Sequence, residues 1–430
     1  AMREYAVVYE YVAVRASPSL HAPTLDFLRQ GAVVHAVAPP DEDRWIRLHV
    51  DEERRKKYGG RKDAYMLTDG AVIGLPLLLK PVEDEETTKR KEKVATRKVV
   101  EPAPAPEPAP PPPPSTTGWG ESVRDASSVA LERLRKAHER ALQVSGPLSP
   151  VSRVYSTSDI HTDHAGNMDL VTAKWPNAPQ HSVLIVAGDV SHIRAQQIKT
   201  FSALVKKYDH VFFTPGNHDL WVLGKEHSDS VELLCNLAES LGEVGVKLLP
   251  TRLPRADGKG EILIAPMFSW YDSDFLEKDR RMPSQTEQNF DAACKWPPPI
   301  GAESNPRQSY GVRAISLFMA ALNLPMLEEL IPEGQRRRSD ESIAELPVVA
   351  FSHFYPQPDL YYGYSGLAKV MGSTKLQDQV FALRPDVHVF GHSHLDVDRR
   401  IGNTRYVQYA LGYPKDRWGD RDPKLVWEKA

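Results

Sequence analysis

Cysteine is nearly missing from this chain: Cys235 and Cys294 are the only two among 430 residues. Two thiols cannot supply a disulfide framework, so an apolar core has to hold the fold, and a reducing compartment is expected. No apolar run approaches the ~18 residues that a membrane-spanning helix needs, and the start shows no charged-then-apolar leader. A large charge of either sign is missing as well. The formal net charge of -3 speaks against a chain-wide nucleic-acid or membrane-surface role. The expectation is a cytoplasmic protein without membrane insertion. Its local basic runs, Arg54-Arg55-Lys56-Lys57 and Arg336-Arg337-Arg338, read as solvated faces.

Organisation is plain along the sequence. Short β-rich runs broken by turn residues fill the first part: Tyr5 to Val14, Ala32 to Val37, Trp45 to Val50 and Ala64 to Leu67. The phrase Val12-Ala13-Val14-Arg15-Ala16-Ser17-Pro18 and the strand around Trp45 resemble a bacterial-type SH3-like module. The resemblance implies a small all-β barrel over 1–82, with a peptide or protein partner and Trp45 either in a groove or in the core. Residues 83–118 read as a linker, first charged (Glu83 to Lys93) and then a proline rod (Pro102 to Pro114), which favours extended polyproline II. Over 119–146, Val123, Ala126, Ala130, Leu131, Leu134, Ala137, Ala141 and Leu142 recur at helical spacing and predict one amphipathic helix with a packing stripe.

From 147 to 430, strand-like runs alternate with helical patterns at Gln196 to Lys207, Ser230 to Leu241, Gly311 to Leu330 and Thr374 to Leu383. This alternation predicts an α/β layered domain. Five polar clusters punctuate it: Asp159-Ile160-His161, Gly188-Asp189, Gly216-Asn217-His218-Asp219, Ser352-His353 and Gly391-His392-Ser393-His394. Apolar runs precede most of them (Val183 to Ala187, His210 to Thr214, Pro347 to Phe351, Val387 to Phe390), which puts each cluster on a loop past a strand's carboxyl end. Carboxylate, imidazole and amide side chains gathered there suit two metal ions.

In this order the clusters resemble the calcineurin-like metallophosphoesterase superfamily. The resemblance implies a four-layer αββα sandwich with a dinuclear centre at the strand ends. It implies Asp159, His161 and His394 on one ion, Asn217, His353 and His392 on the other, and Asp189 bridging both. The ions would be manganese, iron or zinc. Hydroxide shared between them would attack the phosphorus of a phosphomonoester or phosphodiester in line, nucleic acid entering only as such a substrate. His218 would serve the leaving oxygen, with Asp219 orienting it. Gly188 to Arg194 lacks the second aspartate and in-register arginine of the phosphoprotein-phosphatase branch, so that branch is not expected. His164 and His192 are expected beside the ligands, and His181, His210, His227 and His388 elsewhere. Trp270, Tyr271, Trp296 and Tyr310 are expected to pack an insertion rather than stack a ring. The alternative is a non-catalytic scaffold on the same fold, acting through the SH3-like module.

Overall fold

The computed structural model describes residues 2–7, 11–15, 24–29, 32–37, 45–57, 61–68, 79–81, 121–272, 275, 285–298, 300, 313–336, 346–361, 363, 365–414 and 421–429. The chain divides into two compact units, Ala1–Glu107 and Pro108–Ala430. The linker expected over 83–118 lies outside the described residues, as do Arg337, Arg338 and Tyr310.

In the first unit, β1 (Met2–Val7), β2 (Tyr11–Arg15), β3 (Thr24–Arg29), β4 (Val33–Val37), β5 (Trp45–His49), β6 (Asp63–Leu67) and β7 (Leu79–Pro81) form one sheet in the order β3-β2-β6-β5-β4-β1-β7. Every described pairing is antiparallel. The run Tyr5 to Val14 is two strands rather than one, and β3 and β7 stand at the sheet's two ends, so the expected barrel closure is not shown. Along β4, Val34 and Ala36 are buried and their neighbours exposed, the period of a half-covered strand. They join Tyr5, Val12, Val14, Ile46, Leu48 and Met66 in one core, against which Trp45 packs half-buried.

The second unit opens with the helix Glu121–Ser145. Its apolar stripe is buried against the helix Ser230–Gly242, where a Cβ added at Gly242 would meet the Ala137 carbonyl oxygen at 2.5 Å. Arg133 reaches Glu239 at 2.7 Å and Arg140 reaches Glu243 at 2.9 Å across the same crossing. Asp229 caps the second helix by accepting from the Val231 and Glu232 amides.

Two mixed sheets follow. β8 (Arg153–Thr157), β9 (Ser182–Ala187) and β10 (His210–Thr214) are parallel, and β17 (Lys424–Glu428) pairs antiparallel with β8. The other sheet runs β11 (Thr251–Pro254), β12 (Glu261–Pro266), β13 (Val348–Phe351), β14 (Val387–Phe390), β16 (Thr404–Gln408) and β15 (Val397–Ile401). From β12 to β16 neighbours are parallel. Alternation decides which side chain goes where. Val183, Ile185, Val349, Phe351, Val387 and Val389 share one core between the sheets, while Leu184, Val186, Ala350 and Phe390 turn to the helix-covered core. Strands buried on both faces read as continuous apolar runs, which is why β9 and β10 stood out in the sequence.

Candidate metal centre

Five loops leave the carboxyl ends of β8, β9, β10, β13 and β14 and carry the five polar clusters. Backbone hydrogen bonds lace them together. The Asp159 amide donates to Gly188 O at 2.9 Å, His161 to Asp189 O at 3.0 Å, Gly391 to His353 O at 2.9 Å and Gly412 to Asp159 O at 2.9 Å. Asp159, His161, Asp189, His392 and His394 have φ between 40° and 79°, and they are five of the seven described non-glycine residues with positive φ. Each left-handed residue costs on the order of 1 kcal/mol or more, a strain tolerated where side chains must be aimed. Glycines let the loops close up: a Cβ at Gly188 would lie 2.3 Å from His353 Nδ1, and one at Gly216 would lie 2.1 Å from Asp189 Oδ1.

The expected ligand side chains converge. His161 Nε2 and His394 Nε2 are 3.1 Å apart, and His394 Nε2 is 3.5 Å from Asp159 Oδ1. In a second group His353 Nε2, His392 Nδ1 and Asn217 Oδ1 are each 3.1 Å from the other two. Asp189 lies in both neighbourhoods, with Oδ1 3.5 Å from His353 Nε2 and Oδ2 4.0 Å from His218 Nε2. Ligand atoms of Asp159, His161 and His394, of His161, Asp189 and His218, and of Asp189, His353 and His392 form three groups, each within 4.8 Å.

The second group shows what the donors are made for. His353 Nδ1 faces Ala187 O at 3.0 Å, and His392 Nε2 faces Val370 O at 3.0 Å. Each carbonyl takes the proton-bearing nitrogen, which leaves the other nitrogen as a lone pair. Asn217 Nδ2 donates to Asp291 Oδ1 at 2.8 Å, so its oxygen is the atom turned inward. Three lone pairs then meet at 3.1 Å with no proton among them. Neighbouring ligands of one cation bound at about 2.1 Å have this separation, and the nitrogen and oxygen set suits a divalent ion.

The electrostatics point the same way. Burial, then Asp159 and Asp219, push the Asp189 carboxyl well above the carboxylate range. Burial and the neighbouring imidazoles drive His161 and His392 well below the usual imidazole value, and His218 to about 3. Acids and bases are each destabilised by their own kind, which a bound positive charge would relieve for the carboxylates while using the neutral imidazoles.

Asp219 departs from expectation. Its carboxylate accepts from the amides of Asp189 at 2.8 Å, Val190 at 3.0 Å, Ser191 at 3.2 Å and Gly216 at 2.9 Å, and from Gln197 Nε2 at 2.9 Å. It clamps two ligand loops together instead of orienting His218. That ring is held by stacking on Trp221, centroids 3.8 Å apart. His164 and His192 both face Asp163 Oδ2 at 3.6 Å. Each also leans on a ring that stacks against a site histidine: His164 on Tyr413, which stacks on His161, and His192 on Trp221. His388 bonds Ser352 and His210 bonds Ser149 O, as structural histidines do. Arg194, half-buried, ties its helix to the next by donating to Asn236 O at 3.0 Å. Trp270 and Tyr271 are fully buried and stacked on each other, packing the insertion.

A cavity of about 410 Å³ opens over Asp189, Asn217, His218, His392 and His394. Phe290, Tyr361, Leu367, Met371, Leu395 and Tyr413 also line it, with Tyr413 stacked on His161. Sequence reasoning named none of these apolar and aromatic lining residues as part of the site, and it missed Asp291 altogether.

The calcineurin-like phosphoesterase family model matches residues 152–396, more than half of the chain. Over 282 residues the chain is 26% identical to the acyl-carrier-protein phosphodiesterase PptH of Mycobacterium tuberculosis (strain ATCC 25618 / H37Rv), spanning 63% of this chain and 80% of that one. The crystal structure of phosphopantetheinyl hydrolase (PptH) from Mycobacterium tuberculosis is similar with a TM-score of 0.49 at 23% identity, over 65% of this chain and 96% of that one. The family match spans β8 to the loop after β14, all five loops with polar clusters included, and on it this chain belongs to the calcineurin-like phosphoesterase family and is a phosphate-ester hydrolase.

Proposed function

We propose that Asp159, His161 and His394 hold one divalent ion, that Asn217, His353 and His392 hold a second, that Asp189 is shared, and that the substrate is a phosphodiester. The meeting of three lone pairs at 3.1 Å, each with its proton-bearing side tied elsewhere, carries the reading. Two divalent ions bound there would supply an acidified water and charge to neutralise the phosphoryl oxygens. The chain's own residues do the rest. Asp219 holds the loop of Asp189 against the loop of Asn217, so the two groups keep a fixed spacing. His218 lines the cavity and, immobilised on Trp221, presents a ring nitrogen to the leaving oxygen.

Diesters are favoured over monoesters by the walls. No lysine or arginine is among the described lining residues. A diester monoanion needs less counter-charge than a monoester dianion, and its second arm can lie along Phe290, Leu367, Met371 and Leu395. The activity named for the relative, an acyl-carrier-protein phosphodiesterase, fits that choice, and we extend to this chain a carrier-protein phosphodiester as substrate.

The test uses the full chain loaded with Mn2+, bis(p-nitrophenyl) phosphate and p-nitrophenyl phosphate. The expected result is a kcat/KM at least tenfold higher for the diester, with both activities lost in Asp189→Asn. Equal or better turnover of the monoester would overturn the diester assignment, and full activity in Asp189→Asn would overturn the shared ligand.

A further inference from the structure

We propose that Asp291 is the positioning residue of the second ion group: it sets which face of the Asn217 amide is offered, and so decides whether that group binds an ion. The inference rests on the reading of Asn217 as a ligand. An asparagine amide has two nearly isosteric faces, an oxygen that binds cations and an NH2 that repels them. Nothing in the amide itself chooses between them. His353 Nε2 and His392 Nδ1 would tolerate either face, because their lone pairs could accept from an NH2 as readily as share an ion with an oxygen.

Asp291 removes the choice. Its Oδ1 lies 2.8 Å from Asn217 Nδ2, and an ionised carboxylate can only accept. The reverse orientation would set two oxygens against each other in a buried place, since Asp291 is 9% exposed and Asn217 1%. The same oxygen also takes the Trp221 indole N–H at 3.2 Å, so one carboxylate anchors both the ligand amide and the ring on which His218 stacks.

Asp291 is itself held in place. It stands in the long insertion between β12 and β13, just past the short helix Gln285–Gln288, and the backbone around it is strapped to the loop that follows Asn217. The Val222 amide donates to Ala293 O at 2.9 Å, the Ser230 amide to Lys295 O at 2.6 Å, the Lys295 amide to Ser230 Oγ at 3.0 Å and the Cys294 amide to Asp291 O at 2.9 Å. A carboxylate whose following residues are tethered in this way can select an amide orientation; a mobile one could not.

The test exchanges the pair. Metal-free full chain is titrated with Mn2+ by calorimetry as wild type, Asp291→Asn, and Asp291→Asn with Asn217→Asp. The wild type is expected to bind two ions per chain. Asp291→Asn keeps the shape but can donate as well as accept, so the second ion should bind at least tenfold more weakly while the first is unchanged. In the exchanged pair the amide introduced at position 291 donates and the carboxylate introduced at position 217 has no wrong face, so second-ion affinity should return to within about threefold of wild type. Unchanged affinity in Asp291→Asn, or no recovery in the exchanged pair, would overturn the proposal. A purely structural role would lower the melting temperature of the metal-free chain and weaken both ions together, which also overturns it. Should Asp291→Asn fail to fold, Asp291→Ser is read by the same criteria. A wild type that binds one ion or none would instead sink the two-ion reading on which this rests, leaving the two failures distinct.

Discussion

At the scale of single residues, the centre is organised by groups that never face the substrate. Asp219 was legible as part of Gly216-Asn217-His218-Asp219, but its partners were not, because they lie about thirty positions earlier, at Asp189, Val190 and Ser191. A carboxylate that accepts five hydrogen bonds inside a buried loop junction is a structural clamp, and charged acceptors of this kind contribute more than neutral ones. Asp219→Asn places an NH2 against backbone donors. It is expected to cost about 2–4 kcal/mol of stability, read as a lower denaturation midpoint of the metal-free chain, together with a large loss of kcat. An unchanged midpoint with only an altered pH–rate profile would return Asp219 to the role of a His218 partner. Asp291 was invisible for a similar reason. It is 74 positions from Asn217, in an insertion whose aromatic residues drew attention for packing while this buried acid carried no motif.

At the scale of elements, the strand ends were legible because each ligand cluster follows an apolar run. Val183 to Ala187 and Val387 to Phe390 match β9 and β14 within a residue. The helix Glu121–Ser145 was legible from its stripe, but not the partner it packs against. Where that helix ends, Lys247 is fully buried and donates to Ser145 Oγ at 2.8 Å, and burial pulls its pKa from 10.5 to about 8. The folded chain therefore holds fewer protons than the unfolded chain between about pH 8 and 10.5, and stability rises with pH across that window. Below it the cost of the buried charge is present in full. Lys247→Met is expected to raise stability at pH 7 by about 1–3 kcal/mol and to flatten the rise, both read from urea melts at a series of pH values. It should also let His138, now pushed down to about 4 by burial and then by Lys247, titrate higher. A variant less stable than wild type at pH 7 would show that the bond to Ser145 outweighs the buried charge.

At the scale of the whole molecule, the chain divides into two compact units: the first holds one antiparallel sheet together with a short helix, Glu52–Lys57, that the all-β expectation did not include, and in the second helices alternate with the strands of two mixed sheets. The first unit's sheet is antiparallel with open ends, so closure into a barrel was beyond what run lengths and turn residues could specify. In the second unit, convergence of the five loops could be read because parallel strands of one layered fold end on the same side. The cavity's apolar wall could not, since Phe290, Leu367 and Leu395 come from separate segments that no local period connects. What the whole fold achieves is the spacing of two donor groups around Asp189. The most direct test is anomalous diffraction from crystals grown with Mn2+. Two peaks are expected, one among Asp159, His161 and His394 and the other among Asn217, His353 and His392, both beside Asp189; a single peak, or peaks away from these side chains, would contradict the account.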